Sequence, residues 1–119
     1  MQYLVDMKLV AYGRPTDGPQ DGIAFIEQLI LPSLEICQKL EDEKKILAGG
    51  PASGAIRLVM IMSAESAQEL DELIGSLPIW PRMETTITPL TSFSGRRLAL
   101  RPRLERLKST LQNGPTAAI

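Results

Sequence analysis

The chain has 119 residues, close to the commonest single-domain size, and its 44% hydrophobic but only 4% aromatic content prescribes one mostly aliphatic core. No apolar run nears the roughly 18 residues of a membrane span; one cysteine and no histidine exclude an internal disulfide and a Ser-His-Asp or Cys-His triad, and argue against a zinc site of the usual kind. Net charge is −1, yet residues 1–94 carry 7 basic and 13 acidic groups (−6) while residues 95–119 carry 6 and 1 (+5), so the tail is a distinct electrostatic object.

Gln2 to Val10 predicts a first strand. Tyr3, Val5, Met7 and Leu9 form one apolar row, and Gln2, Leu4, Asp6, Lys8 and Val10 a mixed one. Asp6 and Lys8 also interrupt the apolar stretch that a signal peptide needs, so a cytoplasmic protein is expected. Tyr12 to Gly18 reads as a loop. Asp21 to about Glu43 predicts a helix with Asp21 as N-cap, since Ile23, Ile26, Ile30, Leu34 and Cys37 step by three and four. Pro32 should kink or restart it. Cys37 reads as a small apolar packing residue.

Lys45 to Gly49 predicts a short second strand, and Gly49, Gly50, Pro51, Ser53 and Gly54 a hairpin turn. Their spacing matches neither a P-loop nor a dinucleotide fingerprint. Ala55 to Met62 is a third strand, with Ile56, Leu58, Met60 and Met62 in one row and Ala55, Arg57, Val59 and Ile61 in the other. Ser63, with Ser66 as the alternative, caps a second helix, about Ala64 to Ser76, faced by Ala67, Leu70, Leu73 and Ile74. Pro78 and Pro81 then fix a turn that holds Trp80, the one tryptophan, which is expected to be buried. Met83, Thr85 and Ile87 alternate with Arg82, Glu84 and Thr86 as a fourth strand. Ser92 to Gly95 breaks the pattern, and Pro102 opens a third helix with Leu104, Leu107 and Leu111 inside and a basic outer side. Asn113 to Ile119 reads as a frayed end.

Strand, helix, strand, strand, helix, strand is the split βαβ order of a ferredoxin-like α+β domain. Residues 1–94 are expected to form this domain, and residues 95–119 a basic C-terminal helix and tail. Strand one then lies centrally, beside strands three and four. The all-apolar rows face the helices. The opposite face gathers Asp6, Lys8, Arg57 and Glu84 among Leu4, Val10, Val59, Ile61 and Thr86. It is too apolar for open water and too charged for a dry core. Such a face is expected to meet the same face of a second copy, giving a homodimer around a partly polar cavity. The bland alternative is that the four charges are cross-strand salt bridges and nothing more.

Leu77-Pro78-Ile79-Trp80-Pro81-Arg82-Met83-Glu84, with Gln2–Leu9 and Ser66–Leu77, resembles the muconolactone isomerase-like family of dimeric α+β barrels. In that family a leucine-proline, an apolar pair, a proline and Met-Asp open the last strand; Glu84 stands here in place of the Asp. The Leu47-Ala48-Gly49-Gly50-Pro51 stretch is also similar to YCII-like proteins. The resemblance covers about residues 2–91 and implies cofactor-free chemistry on a small carbonyl or lactone. Two departures stand out: the family's second carboxylate falls at Thr86, and its pocket histidines are absent.

Moving a proton next to a carbonyl needs a base and a cation or donor for the developing enolate. Glu84 or Asp6 is the candidate base, its pKa expected to be raised by an apolar cavity. Arg57 or Lys8 would hold a substrate carboxylate or the enolate, with Thr86 and Trp80 as further substrate-binding residues. No cofactor or metal is implied. The alternative is a non-catalytic oligomeric module that binds a small acidic ligand or a protein. Six cations without a stacking aromatic, beside an acidic body, argue against nucleic acid. The tail is better expected on a neighbouring subunit's acidic surface.

Overall fold

The computed structural model describes residues 1–10 and 18–113. The chain runs β1 (Gln2–Leu9), α1 (Pro19–Phe25), a π-helical turn (Ile26–Ile30), α2 (Leu31–Asp42), β2 (Ile46–Pro51), β3 (Arg57–Ser63), α3 (Ala67–Gly75), a 3-10 turn (Trp80–Arg82), β4 (Met83–Leu90) and α4 (Phe93–Gln112). The antiparallel sheet has the order β2-β3-β1-β4 and does not close on itself. This is the expected ferredoxin-like α+β arrangement, with β1 central. Of the predicted loop at Tyr12–Gly18 only Gly18 is described, and of the predicted frayed end only Asn113.

Period-two alternation sets the two faces. Tyr3, Val5, Met7 and Leu9 on β1 are buried, as are Leu58, Met60 and Met62 on β3. They pack with Leu40, Leu70, Ile74, Leu77 and Ile79 from the helices and the turn before β4, while Cys37 is partly buried at the edge of that core. Burial pushes the Cys37 thiol pKa up, which suits a packing residue rather than a nucleophile.

The local corrections have physical causes. Gly18, not Asp21, is the N-cap of α1, and Asp21 lies in the first turn, where its charge complements the helix dipole. Pro32 falls in the first turn of α2, which restarts at Leu31 as expected. Its missing N–H and its ring are accommodated by widening the preceding turn, where the Leu31 N–H reaches back to the Ile26 carbonyl. Gly49 and Gly50 are strand residues rather than a hairpin turn. The β2–β3 register shifts between Ile46 and Ala48, and Gly49 has φ +103° beside β3. A Cβ at Gly49 would lie 2.1 Å from the Val59 carbonyl oxygen, so only glycine fits this close approach. Ser66, the second of the two candidate caps, accepts the Glu69 N–H at 3.1 Å.

α4 departs most. It starts at Phe93, capped by Ser92 accepting the Gly95 N–H at 2.9 Å, and Pro102 lies inside it rather than at its first turn. No residue of α4 is buried. The radius of gyration is 21.4 Å, against roughly 14 Å for a compact chain of this length.

One buried polar contact fastens the last strand. Ser33 at the start of α2 accepts the Ile79 N–H at 3.0 Å and is 2% exposed. It thereby fixes the Pro78–Pro81 turn that aims β4. Ser33→Ala strands that buried N–H and should cost about 1–3 kcal/mol. Urea unfolding of the variant measures this; an unchanged midpoint would show that the contact does not hold the turn.

Candidate functional site

The sheet register decides which predicted residues meet. Lys8 stands opposite Arg57 on β3 and opposite Glu84 on β4. One level along, Asp6 stands opposite Val59 and Thr86. Asp6, Lys8, Arg57, Glu84 and Thr86 therefore share the sheet face turned away from the helices, as the alternation predicted. Leu4 opposite Ile61 and Thr88 forms the next level. Thr88 was missed as a site residue, although the run Glu84, Thr86, Thr88 already placed it on the same row.

Within this face Arg57 grips Asp6 diagonally and bidentately. Its Nε donates to Asp6 Oδ1 at 2.8 Å and its Nη2 to Oδ2 at 2.5 Å. The diagonal answers a local conflict, because Lys8 and Arg57 are like charges on directly opposed positions. The two Arg57 N–H bonds hold the Asp6 carboxyl below its ordinary pKa, against the opposing effect of burial, with Lys8 adding a smaller charge effect. The expected upward shift is thus reversed at Asp6. A carboxylate so bound is a poor proton acceptor at neutral pH and a good positioner of its partner. Arg57 keeps N–H donors beyond the two it commits to Asp6, and those can meet an anion.

Trp80 is corrected too. It is 42% exposed rather than buried. It sits in the 3-10 turn that leads into Met83 and Glu84, at the end of the sheet where Lys8, Arg57 and Glu84 line up. The candidate site thus has one charged row, one Arg–Asp pair, threonine hydroxyls and aliphatic neighbours. This set can bind a small anion and offers a carboxylate next to it. Among the described residues, no group of three or more Cys, Asp or Glu is arranged to hold a metal, and no helix is long and apolar enough to cross a membrane.

Comparison with known proteins gives a consistent picture. The model of the muconolactone delta-isomerase family matches residues 1–95. A solved muconolactone isomerase is 22% identical, covers 77% of this chain and 90% of its own, and superposes with a TM-score of 0.63. The 5-chloro-2-hydroxyhydroquinone dehydrochlorinase of Burkholderia phenoliruptrix, solved with 2,5-dihydroxybenzoquinone, is 20% identical over 80% of this chain and 98% of its own, with a TM-score of 0.57. At these identities the two structures show a shared fold. No curated protein matches.

The Arg57–Asp6 pair has a pH signature. Because the folded-state pKa of Asp6 is lowered, its stabilisation is complete above the ordinary carboxylate range near pH 4 and is lost as pH falls through the folded value. Thermal melts from pH 6 to pH 2 should show wild type and Asp6→Asn converging toward the acid end. A gap that stays constant over this range would mean that the pair contributes no pH-linked stability.

Proposed function

Since the chain belongs to the muconolactone delta-isomerase family, we propose that it is a cofactor-free isomerase that moves a proton next to the carbonyl of a small lactone or carboxylate compound. The observation that carries this reading is the row Arg57–Lys8–Glu84 across the helix-free face of the sheet. Glu84 is the general base, since it stands in the motif position where the resemblance puts an acid and is not part of the Arg57–Asp6 pair. Arg57, held in place by Asp6, and Lys8 take the substrate carboxylate or the enolate oxygen. Thr86 and Trp80 border the bound molecule.

The chemistry balances without a co-reactant. Glu84 takes a proton from the carbon beside the carbonyl. The freed electron pair moves into the carbonyl, and the oxygen charge falls on the cations. The same carboxylic acid then returns the proton at the conjugated carbon, so a double bond has moved and nothing else is gained or lost. Two copies, meeting through their open sheet faces, shelter the step from water and form a cytoplasmic homodimer. The apolar part of the face, Leu4, Val59 and Ile61, is only half-buried in one copy, which supports this closure.

The tests separate an enzyme from a binding module. In light scattering the protein should be at least a dimer at micromolar concentration; a stable monomer would remove the sheltered cavity. A panel of small lactones and oxo-acids, screened by thermal shift, supplies the ligand. Arg57→Met should weaken carboxylate binding by about 1.5–3 kcal/mol, the worth of a charged hydrogen bond. Glu84→Gln keeps the shape and removes the base, so turnover should vanish while binding persists. If both variants alter only melting, the charges are structural. If Arg57→Met weakens binding but no panel member is turned over, the non-catalytic binding module is the better reading.

A further inference from the structure

We propose that α4 is an assembly arm whose leucine seam docks on the acidic outer face of the α1–α2 helix of a second copy of this chain. The seam is written in the spacing. Phe93, Arg97, Leu100, Leu104, Leu107 and Leu111 follow one another by four, three, four, three and four, which is a heptad stripe. The leucines are exposed, up to 81% at Leu111, and Leu100, Leu104 and Leu107 border a shallow groove of about 650 Å³ edged by Arg97, Arg101 and Arg103. A 20-residue helix with an internal proline and no buried residue has little to hold it in water by itself. Its form calls for a partner. α4 also lies almost wholly beyond residue 95, where the family match ends, so it is a feature of this chain rather than of the shared fold.

The identity of the partner follows from charge. Two α4 helices pairing along this seam would bring Arg96, Arg101, Arg103 and Lys108 of one against those of the other. Such flanking positions set coiled-coil partner choice, and like charges there reject self-pairing. The complementary surface is on the body. Ile23, Glu27, Leu31 and Glu35 step by four along the helical run of α1, the π-helical turn and α2, and all four are exposed. Ile26 beside them is also exposed, and residues 19–38 contain three acids and no cation. An aliphatic stripe with acidic neighbours thus matches an aliphatic seam with basic neighbours. α4 begins just two residues after β4 and has no residue buried among the described residues, so the occupant is a second copy. The contact joins two different patches. In a two-fold dimer it occurs twice, and otherwise it builds a ring.

Full-length protein prepared in isotopically heavy and light forms, mixed and treated with a carbodiimide, tests this directly. The reagent joins Lys108 to carboxylates it touches. The expected products are mixed-label peptides linking Lys108 with Glu27 or Glu35. Leu104→Asp with Leu107→Asp should remove them, while circular dichroism keeps the body signal, because α4 buries nothing there. Arg101→Glu with Arg103→Glu should lower the cross-link yield by roughly tenfold, and adding Glu27→Arg with Glu35→Arg should restore it. Same-label products alone would mean that α4 folds back on its own chain, and would overturn the proposal. So would mixed-label products that persist in the leucine variant, or their absence from the wild-type protein. Salt-sensitive binding of a mixed-sequence oligonucleotide, abolished by the arginine variant while the sedimenting size stays fixed, would assign α4 to nucleic acid and overturn it as well.

Discussion

The rest of the molecule depends on the pairing of β1 on both of its edges. β1 is bonded to β3 on one side and β4 on the other over nearly its whole length. Side chains in a strand alternate, so a slip of one residue would turn Val5 and Met7, both at 0% exposure, out of the core and Asp6 and Lys8 into it. That penalty fixes the register. The register in turn places Arg57 and Glu84 on either side of Lys8. The core and the candidate site are thus two consequences of one constraint, and a change to either row of β1 touches both.

Much of the fold is legible because its signals are local. The apolar rows of β1 and β3, the Ser66 cap and the paired prolines before β4 each act within a few residues. What escaped depends on long-range geometry. Gly49 and Gly50 look like a turn, since two glycines weaken a strand; their role is set by how closely Gly49 approaches the β3 backbone. Pro32 marks the restart at α2, but the widened turn that absorbs it leaves no mark in the periodicity. Pro102 likewise looks like a start. The Ser92 cap, ten residues earlier, defines α4 instead, and the helix accepts an interior proline that sequence preference argues against.

The site was legible as a set of residues and less so as an arrangement. Alternation puts four charges on one face but does not choose their partners. Lys8 lies opposite Glu84, which suggests an ion pair there, whereas the short bidentate contact runs diagonally from Arg57 to Asp6. The guanidinium is planar and long enough to reach one level along the sheet and match both carboxylate oxygens. This choice separates the two acids chemically. Asp6 is committed to orienting a cation, and Glu84 lies outside that pair. Two carboxylates that look equivalent in sequence acquire different partners from a one-level offset in the sheet.

Trp80 shows where reading one chain alone stops. A tryptophan between two prolines in a tight turn has every local reason to be buried, and its neighbours Leu77 and Ile79 are. The turn is short, with Trp80 donating its N–H to the Leu77 carbonyl at 2.9 Å and Arg82 to Ile79 at 2.9 Å. Ser33 holds the Ile79 N–H, the Ile79 side chain is buried, and its neighbour Trp80 is exposed. A large apolar ring left in water beside a charged row forgoes roughly 1.5–3 kcal/mol of transfer free energy that a covering surface would recover. The same holds for the half-buried aliphatics of the open face and for the leucines of α4. Unburied apolar surface lies on the sheet face, at the turn, along the α1–α2 helix and on the terminal helix, and each is bordered by charge. Hydrophobic area supplies the drive to associate, and the flanking charges restrict which surface can answer it.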